Sequence, residues 1–163
     1  MTLRELLIRI KGGYALYSPI LVNVSREDSL DDTAGDTVTK NLERDWAEDY
    51  TREYAEEMAI VVGNNSIKGL DLPVSIGRSR QCDVQVSNES VSKVHASIAL
   101  DRRSGSYSVL DSGSRNGTCI NGEEIAKDTK VSLWSGAYLS FGDAVYVFID
   151  PPTLRKLARL AKD

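Results

Sequence analysis

The stretch from Val94 to Glu124, VHASIALDRRSGSYSVLDSGSRNGTCINGEE, decides how this chain is read. Apolar residues alternate with small or polar ones through VHASIAL and again through YSVL, the period of a half-buried strand. RRSGS separates these two runs, DSGSRNG follows the second, and NGEE follows the short TCI run. Gly, Asn, Ser and Asp at such places are the residues of tight turns. Short runs with the same alternation or with solid apolar character continue in both directions, with AIVV, LPVSI and DVQV before it and KVSLW, AYLSF and AVYVFI after it. Many short strands at this spacing predict an all-β fold, an antiparallel β-sandwich, over residues 58–150.

The flanks read differently. Thr2 and Glu5 form a capping-box pattern, and Leu3, Leu6, Leu7 and Ile10 recur on one helical face before Gly12-Gly13 ends it. SPILVNV then reads as a strand. SREDSLDDTAGDTVTK is nearly devoid of apolar residues and reads as a solvated loop. NLERDWAEDYTREYAEEM spaces Leu42, Trp46, Tyr50 and Tyr54 four apart, which suits a helix. Residues 1–57 are thus expected to form an N-terminal extension that packs on the sandwich. At the other end Pro151-Pro152 stop the last strand, and residues 151–163 form a C-terminal helix with Leu154, Leu157 and Ala158 on one face. That face predicts docking on the sandwich rather than on a membrane.

Composition narrows the function. The 163 residues are 41% hydrophobic and 27% charged, as in an ordinary globular protein. No run is long and apolar enough to span a bilayer. The start, MTLRELLIRIKGG, carries Glu5 inside its apolar stretch and lacks a small-residue cleavage site, so it reads as structure and implies a cytoplasmic protein. The net charge of −4 is uneven: residues 26–57 hold twelve Asp/Glu against four Lys/Arg, so the rest is mildly basic. An acidic chain without clustered lysines argues against nucleic acid. One histidine and two isolated cysteines, Cys82 and Cys119, argue against a metal site, and nothing calls for a cofactor. Both cysteines read as small buried hydrophobes.

Ser92 stands three residues ahead of His95, the only histidine, which raises the question of a nucleophile and its base. A hydrolase serine also needs an orienting acid and an oxyanion hole, usually at a strained turn. Nothing around Ser92 supplies them. The glycines of GSRNGTCING likewise lack the lysine and strand-to-helix setting of a P-loop.

Gly77-Arg78, SVSKVHA, DSGSRNGTCING and LWSGAYLSFG, in this order and spacing, resemble a forkhead-associated (FHA) domain over about residues 57–150. The extensions resemble those of small bacterial proteins with a single such domain. The resemblance implies a non-catalytic module that reads phosphothreonine in an extended peptide. It places Arg78 and Ser92 on the phosphate and Asn116 on the peptide main chain, and it makes His95 a structural brace between loops. The residue types suit these roles, since Arg offers a fork of donors to phosphate oxygens and Asn both donates and accepts. Lys93 adds charge from the same loop as Ser92, and Ser114 and Arg115 lie close enough in sequence to assist. Arg115 stands where the family often has Thr. Gly77 and Gly117 are expected to satisfy backbone geometry. The position two before the phosphate serine often reads a peptide side chain beyond the phosphothreonine, and here it is the uncharged Ser90.

The expected function is therefore a phosphothreonine-binding adaptor in Ser/Thr-kinase signalling, with a kinase upstream, a phosphorylated protein as partner, and no catalysis, nucleic acid or membrane insertion. The alternative is a structural or oligomerising FHA domain without a phosphopeptide ligand. Thr33, Thr37 and Thr39, in the acidic loop, are candidate phosphosites through which the chain could occupy its own site.

Overall fold

The structure, a computed structural model, describes residues 1–24, 52–63 and 72–161. Two sheets face one another. One contains β1 (Ile20–Asn23), β2 (Ala59–Val61), β7 (Thr118–Ile120), β8 (Glu123–Glu124), β10 (Tyr138–Phe141) and β11 (Ala144–Ile149), in the order β2-β1-β11-β10-β7-β8. The other contains β3 (Val74–Gly77), β4 (Val84–Gln85), β5 (Ala96–Asp101), β6 (Ser106–Asp111) and β9 (Val131–Leu133), in the order β4-β3-β5-β6-β9. The pairings are antiparallel except β3 with β4, which is parallel. The antiparallel sandwich read from the sequence is thus the fold, with that one parallel pair added.

Two cores hold it together. Between the sheets lie Leu21, Ile76, Ile98, Val109, Leu139, Phe141 and Phe148, each fully buried. On the outer face of the first sheet, helices α1 (Leu3–Lys11) and α2 (Pro151–Leu160) cover Ile20, Val22, Val147 and Ile149. This second core explains why AVYVFI is solidly apolar rather than alternating. In β11, Tyr146 and Phe148 point into the sandwich while Val145, Val147 and Ile149 point at the helices.

The helices form for the reasons the sequence offered. Thr2 Oγ1 accepts the Glu5 N–H at 3.3 Å and Glu5 returns its carboxylate to the Thr2 N–H at 2.9 Å, closing the capping box. In α2, Asp150 caps the Thr153 N–H at 2.9 Å and the two prolines occupy the first turn, where no amide hydrogen is needed. Leu154, Leu157 and Ala158 are buried, so α2 docks on the sandwich as expected. The N-terminal segment does more than pack on the domain, because β1 lies between β2 and β11 and is a strand of the sandwich itself. The loop 25–40 and most of the helix expected over 41–58 lie outside the described residues. At the end of that stretch Tyr54 and Ala55 are buried, and the carbonyls of Ala55 and Glu57 accept the Arg4 and Leu3 N–H groups that begin α1.

Candidate functional site

The loops at one end of the sandwich converge: residue 78 onward after β3, residues 86–95 before β5, and residues 112–117 after β6. Gly77 ends β3 directly beneath the second of these. A Cβ there would stand 2.2 Å from the Lys93 carbonyl oxygen and 2.9 Å from Cys82 Sγ. Only glycine permits that approach. The backbones then zip together, with Arg78 N–H donating to Ser92 O at 2.9 Å and Ser79 N–H to Lys93 O at 3.1 Å. The buried Cys82 donates its thiol to the same Lys93 oxygen at 3.2 Å.

This scaffold sets out the side chains. Arg78 is exposed, and its Nε donates to Val91 O at 3.1 Å, which orients the guanidinium and leaves its two terminal nitrogens without a protein partner among the described residues. Ser92 is half-buried, and its Oγ accepts the Arg115 N–H at 3.0 Å, so the hydroxyl hydrogen is left to donate. Lys93 and Arg115 are exposed beside it. Asn116 is exposed and donates Nδ2 to Ser90 O at 2.8 Å, leaving Oδ1 as an acceptor. Three loops thus bring two arginines, a lysine, a hydroxyl and an amide to one end of the molecule.

His95 is fully buried and braces this arrangement. Its Nδ1 accepts the Ser92 N–H at 3.0 Å, which fixes that nitrogen as the unprotonated one. Its Nε2 therefore carries the hydrogen and donates to Gly117 O at 2.9 Å. The Gly117 backbone, at φ 84, is in the left-handed region that glycine adopts freely. Phe141 meets the ring edge-on at 5.6 Å. Burial holds the imidazole below its ordinary pKa, against smaller opposing effects of the Gly117 carbonyl and Asp111. With both nitrogens bonded to backbone, neither is available to take a proton from Ser92. The pair is not a nucleophile and its base.

One placement differs from the sequence reading. Ser114, expected beside the phosphate, is 1% exposed. Its hydroxyl donates to Asp111 Oδ2 at 2.5 Å and accepts the Gly117 N–H at 3.0 Å, so it builds the loop from inside and presents nothing to a ligand. The uncharged Ser90 is likewise tied into the protein: its hydroxyl donates to Asn88 Oδ1 at 2.7 Å and accepts the Asp143 N–H at 2.8 Å.

Asp111 escaped the sequence reading altogether. It is fully buried, with Oδ1 accepting the Gly113 and Ser114 N–H groups and Oδ2 accepting the Ser114 and Thr118 hydroxyls, at 2.5–2.9 Å. Burial pushes its carboxyl up, but these donors outweigh that and hold it below the usual carboxylate range. The signal was present in the sequence as an aspartate followed two, three and seven residues later by small donors, in DSGSRNGT.

A family model for the FHA domain matches residues 74–142. The chain is 36% identical over 74 residues to the protein phosphatase 1 regulatory inhibitor subunit PPP1R8 homolog of Arabidopsis thaliana, covering 45% of this chain and 20% of that protein. It is 37% identical over 84 residues to the oxoglutarate dehydrogenase inhibitor of Corynebacterium diphtheriae, covering 51% of this chain and 55% of that one. The chain therefore spans only a part of these relatives. Among solved structures, the MEK1 FHA domain superposes with a TM-score of 0.50 at 21% identity, over 82% of this chain and 89% of that one. The yeast Dun1 FHA domain, solved with a doubly phosphorylated peptide derived from Rad53, gives 0.50 at 23% identity, over 83% and 77%. Both show a shared fold.

Proposed function

We propose that the chain, whose residues 74–142 match the FHA domain model, binds a phosphothreonine-containing segment of a partner protein at the loop end of the sandwich. FHA domains are phosphopeptide-binding modules rather than enzymes, and the protein acts here as an adaptor without a reaction of its own. Arg78 and Ser92 hold the phosphate, with Lys93 and Arg115 adding positive charge, and Asn116 receives the peptide main chain. A phosphothreonine brings about −1.5 to −2 charges and three acceptor oxygens to these donors. Gly77, His95, Asp111, Ser114 and Gly117 hold the loops in place.

The observation that carries this reading is the combination of free donor capacity outside and full satisfaction inside. Arg78 and Ser92 are pinned by backbone bonds that leave the guanidinium end and the hydroxyl hydrogen facing no protein partner among the described residues. Directly beneath, His95 has both nitrogens bonded to the two loops. Such pre-positioned donors suit an anion and need little reordering to bind it.

In the cell this implies a Ser/Thr kinase upstream and a cytoplasmic setting. The phosphothreonine is supplied by a second protein or by the chain's own Thr33, Thr37 or Thr39, which lie outside the described residues. Titration of phosphothreonine peptides from a library into wild type and Arg78→Ala tests the assignment. Losing a bond to a charged group lowers affinity by roughly ten- to a hundredfold. Unchanged affinity in Arg78→Ala would move the site elsewhere.

A further inference from the structure

Between β4 and β5 the chain makes a tight turn that opens on Asn88, a half-buried residue. The Asn88 carbonyl accepts the Val91 N–H at 3.0 Å, and its own N–H donates to Val86 O at 3.0 Å. Its side chain closes the turn from within, since Oδ1 accepts the Ser90 N–H at 2.9 Å and the Ser90 hydroxyl at 2.7 Å. A backbone N–H can only donate, so the atom facing it is the amide oxygen, and Asn88 serves the turn as an acceptor.

The two residues so held turn their carbonyls towards the site. Ser90 O accepts Asn116 Nδ2 at 2.8 Å, and Val91 O accepts Arg78 Nε at 3.1 Å. Arg78 and Asn116 make no other side-chain hydrogen bond among the described residues. The planar peptide unit makes the connection rigid. The Val91 N–H and the Ser90 carbonyl share one plane and point opposite ways, so the bond to Asn88 O aims Ser90 O at Asn116. Val91 is anchored by its side chain, 1% exposed in the core between the sheets. Ser90 has no such anchor and hangs on Asn88, on the Asp143 N–H and on the close approach of Gly142. The amides of Ser90 and Val91 go to Asn88, and that of Ser92 goes to His95. Three consecutive amides are therefore committed to the protein.

Resting on the reading that Arg78 holds the phosphate and Asn116 the peptide main chain, we infer that Asn88 is a positioning residue for phosphopeptide binding. Through the Ser90 and Val91 carbonyls it fixes Asn116 and Arg78, which come from two other loops, at one spacing before the ligand arrives. Without the Asn88 oxygen, the Ser90 N–H loses its partner and the turn can reorient. Asn116 and Arg78 must then be ordered at the moment of binding, which weakens affinity.

The test compares Asn88→Ala, Asn88→Asp and Ser90→Ala with wild type, and combines Asn88→Ala with Asn116→Ala. The probe is the strongest-binding phosphothreonine peptide of a degenerate library, titrated by calorimetry well below every melting temperature. Asn88→Ala should weaken binding by about three- to tenfold. Asn88→Asp keeps the acceptor and should stay within about twofold of wild type at about 300 mM salt, which screens its added charge. In the Asn116→Ala background the Asn88→Ala loss should shrink, because one of the two side chains it acts through is gone. In the free protein, the Asn116 side-chain amide and Arg78 Nε–H resonances should move in Asn88→Ala and stay near their wild-type positions in Asn88→Asp. A residue that only added stability would not move them. Ser90→Ala removes one of the two Asn88 side-chain bonds, so it should move the same resonances by less, and it gives the readout if Asn88→Ala does not fold. Unmoved resonances in both alanine variants, an undiminished loss in the Asn116→Ala background, or an aspartate variant as weak as the alanine one overturns this inference and leaves the phosphopeptide reading standing. A wild type that binds no phosphothreonine peptide overturns both.

Discussion

Replacing Asp111 by asparagine keeps the shape of the buried side chain and removes only its charge and half its acceptor capacity. In wild type one oxygen takes two backbone N–H groups and the other takes the Ser114 and Thr118 hydroxyls. Whichever way the new amide turns, its NH2 faces two donors. Hydrogen bonds to charged groups contribute about 1.5–3 kcal/mol each, and rotation of the hydroxyls recovers part of the loss, so the net cost should be about 2–4 kcal/mol. For a chain of 163 residues, at roughly 2–4 °C per kcal/mol, the melting temperature should fall by about 5–15 °C. Phosphopeptide affinity should fall as well, because Arg115 and Asn116 ride on the same loop. The pH dependence supplies an independent check. The folded carboxyl is held below its usual range, so its contribution is present above about pH 4 and is lost as pH falls through the folded value. The gap between wild type and variant, measured by denaturant unfolding, should therefore narrow in acid. An Asp111→Asn protein that melts within about 1 °C of wild type, or a gap equally wide at pH 7 and pH 3, would refute this account of the loop.

Two further substitutions test the scaffold. Gly77→Ala places a methyl 2.2 Å from the Lys93 oxygen, which must move together with Ser92; thermal melting should show a loss of about 1–3 kcal/mol, and peptide titration a loss of tenfold or more. His95 has its pKa lowered by burial, so its contribution is intact above about pH 6.5 and declines as pH falls through the folded value. Urea unfolding between pH 7.5 and 5 should show that decline in wild type and lack it in His95→Gln.

The sandwich was legible because one face of most strands is buried, so the period of two survives in ASIAL and YSVL. It failed as a pattern in β11, where helices cover the second face and leave a solid apolar run. The helix ends were legible from Thr2, Glu5 and Pro151-Pro152, whose effects are local. The place of β1 between β2 and β11 was not, because strand order depends on contacts distant in sequence. At the site, Gly77, Arg78, Ser92, His95 and Asn116 were singled out by their motifs. Ser114 was misplaced because sequence proximity to Asn116 does not say which way a loop side chain turns. Asp111 was overlooked because a buried carboxylate is uncommon and its four donors come together only when the loop closes. The commitment of the Ser90 hydroxyl was not legible, because its partner Asp143 lies 53 residues away along the chain.

The most direct test of the central claim is amide chemical-shift mapping with a phosphothreonine peptide and its phosphatase-treated twin. The account predicts that the amides of Arg78, Ser92, Lys93, Arg115 and Asn116 shift with the phosphorylated peptide and stay still with the twin. Shifts confined to α1 and α2, or the same shifts with both peptides, would contradict it.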